Sequence, residues 1–280
     1  MKRPQWIVAG IALLLTAGLY AATKNQILGA PPQKSKVQPI AAPALSIDSI
    51  LYHAKENLTP EQSTRISLLE KSITRGDVVD QKLHVYHQLA RFWADSARAF
   101  APYAWYTAEA ARLENSEKSL TFAAHLLLNN LVIENNPALK QWEALQAKDL
   151  FERSLKLNPG NDSSKIGLGA VYVYGGVAMP MEGISMIRSV ADKDSTNIYA
   201  QMTLGMASLM SGQLEKAKDR FKAVARLQPT NLEAIFRVAE TAERIGNKEE
   251  AIEWYRKGLS ISDIPELKKE VEARIAKLKK

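Results

Sequence analysis

An all-α fold of stacked antiparallel helix pairs is the class this sequence predicts, and three observations carry the prediction. Residues 198–263 spell one pattern twice at a spacing of 34 residues, with Leu204, Gly205, Ala217, Phe221 and Pro229 answered by Val238, Ala239, Ala251, Tyr255 and Asp263. Every strongly periodic apolar stretch recurs at the helical spacing of three and four residues. Glycine-led breaks, Gly212 with Gln213 and Gly246 with Asn247, fall at matching points of the two copies. A single helix pair cannot cover its own apolar stripe, so a repeated pair implies stacking.

Taken from the N-terminus, the first element is an apolar run. Trp6 to Ala22 contains no charged residue. As a helix it would span about 26 Å at 1.5 Å per residue, close to the ~30 Å hydrocarbon core of a bilayer. Residues 6–23 are therefore expected to be a transmembrane anchor behind a cytoplasmic tail, residues 1–5. Cleavage is disfavoured: a cut after Ala21 or Ala22 would leave Leu19 or Tyr20 where a small residue belongs. Residues 24–45 hold Pro31, Pro32, Pro39 and Pro43 among alanines, which predicts an extended tether reaching up to about 70 Å at ~3.1 Å per residue.

Residues 46–78 predict an N-terminal helix pair. Ile47, Ile50, Leu51 and Ala54 form one helical stripe, and Thr59, Pro60 and Gln62 open a second helix as cap, first-turn proline and reciprocal glutamine. Residues 79–161 hold degenerate pairs. Leu89, Ala90 and Trp93 precede Ala104, Ala108 and Ala111, with an aromatic cluster of Tyr103, Trp105 and Tyr106. A helix over about 117–133 precedes one marked by Ala147, Phe151 and Pro159, with an insertion at Asn135, Asn136 and Pro137 between them. Residues 162–197, 198–231 and 232–263 form three full repeats, the first with Gly169, Gly183 and Ile187 in the motif positions and two extra residues around Gly175 to Ala178. Residues 264–280 read as a capping helix, with Leu267, Val271, Ile275 and Leu278 on one side and charge elsewhere.

Antiparallel helices approach closely where both present small side chains. Gly205 is thus expected to face Ala217, and Ala239 to face Ala251, since larger residues would push the helices apart. The large-small pair, the small residue and aromatic of the second helix, and the closing proline together resemble the tetratricopeptide repeat, over roughly residues 80 to 263. The resemblance implies a right-handed α-solenoid whose first helices line a concave groove, here at Ile166, Ala170, Val173, Tyr174, Tyr199, Met202, Met206, Leu209, Phe236, Glu240 and Glu243. Met202, Met206 and Tyr199 fit groove and core equally well. The chain departs from the chaperone-binding branch of the family, whose clamp carries Lys and Asn where Met202 and Met206 stand. Its arrangement is similar to that of single-pass membrane-anchored tetratricopeptide proteins of Gram-negative bacteria.

Composition narrows the function. The formal charge is +7, but Lys2, Arg3, Lys24, Lys34 and Lys36 all precede the first acidic residue, Asp48, leaving the remainder close to neutral. Nucleic acid is therefore not an expected partner. Cysteine is absent, which removes disulfides, thiol chemistry and lipid attachment through a lipobox. His84 and His87, with Asp80 a turn earlier, are the nearest approach to a metal set, but three ligands on one helix rarely surround an ion. Gly167 and Gly169 lack the strand and third glycine of a dinucleotide loop. No enzyme, cofactor or metal is expected. The function expected is a membrane-tethered scaffold at the bacterial inner membrane, repeats periplasmic, holding a protein or peptide; self-association is left open. The alternatives are a cytochrome c maturation-type subunit presenting apocytochrome and a metal-dependent protein using His84 and His87.

Overall fold

The computed structural model describes residues 45–75 and 79–280. The expected tail, anchor and tether of residues 1–44 lie outside the described residues, as does Gly76. The chain divides after Ala42, and the described residues belong to the second unit. Among them are thirteen α-helices, one π-helical turn and no strand. In chain order the helices are α1 (Ile47–Lys55), α2 (Pro60–Arg75), α3 (Val79–Arg91), α4 (Phe100–Glu114), α5 (Glu117–Leu131), α6 (Pro137–Leu157), α7 (Asp162–Gly175), α8 (Pro180–Lys193), α9 (Ile198–Met210), α10 (Leu214–Leu227), α11 (Leu232–Ile245), α12 (Lys248–Ile261) and α13 (Pro265–Leu278).

Pairing follows the chain: α3 packs with α4, α5 with α6, α7 with α8, α9 with α10 and α11 with α12. Each pair then lies against the next. The starts are cut by the same device at 34 to 36 residue intervals. Asn161, Asn197 and Asn231 each accept a hydrogen bond from the backbone N–H three residues on, at 2.8, 2.9 and 2.9 Å. An asparagine cap satisfies one of the donors that a helix N-terminus leaves without a partner. Within the pairs, Gly212 and Gly246 adopt φ of 73° and 93°, a left-handed turn that costs glycine little. The α7–α8 connection is longer, residues 176–179, which absorbs the extra residues of that repeat.

Glycines mark the closest approaches of the helices. Between α7 and α8 small faces small: a Cβ on Gly169 would stand 2.7 Å from the carbonyl oxygen of Gly183, and a Cβ on Gly183 would collide with the carbonyl of Gly169. At Gly205 the nearest atoms are those of the Phe221 ring; a Cβ there would lie 2.5 Å from it. The aromatic one turn beyond Ala217 fills the space that the glycine leaves. The same cover recurs at Gly167 under Phe151 and at Gly258 under Phe236. Gly167 is thus a packing residue in the middle of α7. Ala217 is fully buried beside Phe221 and Val238, and Ala239 and Ala251 share a buried cluster with Tyr255. Pro229 lies exposed just past α10.

The N-terminal helices are less regular. Thr59 and Gln62 make the reciprocal cap at α2, with Thr59 N–H donating to Gln62 Oε1 at 3.0 Å and Gln62 N–H to Thr59 Oγ1 at 3.3 Å. Yet α1 rests chiefly on α4 and α2 on α3, with the Lys55–Glu70 ion pair of 2.8 Å across them. After α3 the helix widens into a π turn, Phe92–Ser96, which seats Phe92 and Trp93 edge to face in a buried cluster. Helix α6 runs 21 residues, longer than its counterparts, because Asn136 and Pro137 start it inside the expected insertion. At the other end α13 buries Val271 and Ile275 against α12, with Leu267 and Leu278 beside them.

Candidate functional site

The expected groove residues come from the first helices of successive pairs, and packing has already used most of them. Ile166 is fully buried with Ile187, Ala200 and Leu204 where α7 meets α8 and α9, so it is core and not groove. Ala170 is buried in the cluster formed with α5 and α6. Val173 is half-buried but edges a cleft lined chiefly by the second helices. Met202, Met206 and Leu209 are half-buried around Ala217, Phe221 and Val238. Phe236 covers Gly258 and meets the Tyr255 ring at 6.4 Å between centroids.

The two glutamates have partners within the chain. Glu240 pairs with Arg237 at 3.2 Å. Glu243 accepts from the Tyr255 hydroxyl at 2.9 Å and from Arg274 Nε at 2.8 Å, and the Arg274 guanidinium also sits over the Tyr255 ring. These bonds fasten α11 and α12 to α13, so Glu243 is a docking residue for the end of the stack. A free acidic rim for a basic partner is not what the structure presents.

Tyr199 and Tyr174 are likewise half-buried and packed against the clusters of α7–α9 and α4–α7, and His125, which the sequence did not single out, stands beside Tyr199. The imidazole meets Tyr199 at 5.5 Å and Phe151 at 5.0 Å, both edge to face, and its Nε2 lies 2.9 Å from Ser163 Oγ. Burial holds the imidazole below its usual pKa, so it is neutral at pH 7. Burial pushes the Tyr174 phenol up to about 12 and raises Tyr199 still further. Extending the repeat frame to α5 aligns Ala124 with Gly169, Gly205 and Ala239, and so puts His125 in the position of Ala170, Met206 and Glu240. The insertion before α6 obscured that frame.

Open space lies mainly elsewhere. Between α8 and α10, the second helices of consecutive pairs, is a cleft of 680 Å³ floored by Leu204 and Ala207 of α9. Met181 and Met210 stand at it with 69% and 63% of their surface exposed. Farther along α10 a second cleft of 480 Å³ shares Asp219 and Arg220 with the first. A third, of 550 Å³, lies among α3, α4 and α5, with His87, Tyr103 and the 60% exposed Phe122 on its wall. His84 meets Gln88 at 2.9 Å. Among the described residues no group of three or more His, Cys, Asp or Glu is placed to hold a metal ion. None of the described helices is long and apolar enough to cross a membrane.

Comparison with known proteins gives one local match. Residues 232–264 match the family model of the tetratricopeptide repeat. No curated protein matches the chain. Among solved structures, the chain is similar to MamA, residues 41 to the end, from Desulfovibrio magneticus RS-1, at 20% identity, covering 66% of this chain and 96% of that one with a TM-score of 0.45. It is also similar to YrrB, described as a tetratricopeptide protein with an unusual peptide-binding site, at 19% identity over 73% of this chain and 97% of that one, TM-score 0.42.

Proposed function

We propose that the chain is a non-enzymatic scaffold that holds a segment of another protein on its helix stack, tethered to the inner membrane of a bacterial cell by residues 6–23 with the repeats in the periplasm. One observation carries the binding reading: stacking leaves a 680 Å³ cleft with an apolar floor and two exposed methionines beside it. That volume falls in the range of sites that accept ligand groups, and methionine adapts its shape to what it meets. The uncharged run from Trp6 to Ala22 supports the tether.

Photo-crosslinking amino acids at Met181 in the cleft and at Tyr199 in the groove, used in intact cells, test the scaffold. Reproducible, light-dependent crosslinks to the same protein from at least one position are expected. Absence of a defined product from both positions would end the scaffold reading.

A further inference from the structure

We propose that the cleft between α8 and α10 is a docking site for a protein segment that carries carboxylates beside apolar side chains. This rests on the scaffold reading and adds the chemistry of the occupant. The charges on α10 are used differently on its two sides. On the side toward α12, Lys218 pairs with Glu215 at 2.9 Å and with Glu250 at 3.1 Å, and Lys222 pairs with Glu250 as well. Those cations are neutralised within the fold.

The side toward α8 is different. Arg188 of α8 and Lys216 and Arg220 of α10 line the main cleft, and Arg226 lines its continuation. Among the described residues none of the four forms an ion pair with a carboxylate. Lys216 Nζ donates to Gln213 Oε1 at 2.8 Å and Arg220 Nη1 to Gln201 Oε1 at 2.7 Å, both neutral acceptors. A single carboxylate, Asp219, stands among them. Four cations against one anion make a positive wall, and the floor beneath it is Leu204, Ala207 and the half-buried Ile184. Charge complementarity across such a surface directs both encounter and choice of partner. The apolar floor and methionine rim separate this surface from an ordinary solvated charge run, because they supply contact area that an isolated counterion would not use.

The test uses the full chain in detergent and a fluorescent synthetic peptide rich in Glu and Leu. Three further probes accompany it: a version with Lys for Glu, a version with Ser for Leu, and a short DNA duplex. The Glu/Leu peptide is expected to bind, more weakly at high salt because exposed charges are screened over ~10 Å at 0.1 M, and better than the Ser version. The Lys version and the duplex should not bind. Arg188→Glu combined with Lys216→Glu should weaken the Glu/Leu peptide at least about tenfold at unchanged helicity and melting temperature, and Met181→Asp should weaken it independently. Tyr199→Ala with Phe236→Ala should leave it unchanged.

No binding of the Glu/Leu peptide, equal binding of the Lys version, equal binding of the duplex, or loss confined to the Tyr199 and Phe236 variants would each overturn the proposal. In cells, crosslinks from Tyr199 but none from Met181 would overturn it while leaving the scaffold reading standing. Silence at both positions would remove both.

Discussion

Gly183 shows how much one methyl group decides in this stack. With Gly169 opposite, it lets α7 and α8 touch backbone to backbone, and a Cβ at either position has no room. Gly183→Ala should therefore cost about 1–3 kcal/mol, seen as a lower urea midpoint with an unchanged slope. Glu143 is a second decisive residue. The residue is 1% exposed, Oε1 accepts from Asn130 Nδ2 at 2.7 Å, and Oε2 has no partner. Burial pushes it up to about 7 from the ordinary 4.5, with nearby Glu134 adding and the Asn130 bond and Lys140 opposing. The unfolded chain loses this proton near pH 4.5 while the folded one keeps it to about 7. Stability must fall as pH rises between those values, by on the order of 2–3 kcal/mol, and stay low above them. Denaturant melts at pH 5 and pH 8 should show that loss in the parent and a much smaller one in Glu143→Gln; equal pH dependence in both would refute it. Small residues of the repeat can be read from spacing, whereas the unpartnered Oε2 cannot, since it depends on which atoms meet where α5 packs on α6.

At the scale of elements, caps and end contacts do the placing. Asn231 accepts from Ala234 N–H and its own amide reaches Gln228 Oε1 at 2.8 Å, so Asn231→Ala should destabilise by about 1 kcal/mol. A thermal melt indistinguishable from the parent would show that the cap contributes nothing. The last helix is held by Val271 and Ile275 and by the Glu243, Tyr255 and Arg274 contacts. Helix starts and stops were largely readable, because Asn, Thr, Pro and Gly act locally. The π turn at Phe92–Ser96 was not, and neither was the seating of α1 on α4. Both follow from tertiary burial of Trp93 and Ile50, with no marker in local spacing.

For the molecule as a whole, the apolar interior is divided. The described residues form six buried clusters, each built from neighbouring helices, as expected where every pair meets only its neighbours. Within the described residues these clusters are filled by those residues' own side chains, from Leu45 to Leu278. Removing residues 1–23 should accordingly leave the melting temperature unchanged and move the protein from the membrane fraction to the soluble one. A soluble full-length chain, or a truncated one that still sediments with membranes, would count against the tether.

What the sequence determined by itself was the helical class and the pairing of neighbouring helices, because these rest on period, turn residues and small-residue slots that act over a few positions. Tertiary structure alone decided which surfaces stay open. Ile166 and Glu243 occupy groove positions in the frame, yet one is enclosed by three helices and the other is bonded to Tyr255 and Arg274. Conversely, Met181, Arg188 and Arg220 lie on second helices with nothing in the motif to mark them, and they meet at one cleft. The physical reason is that a repeat specifies how a helix pair packs on its neighbours. Exposure and charge pairing depend on which side chains from separate repeats arrive at the same place.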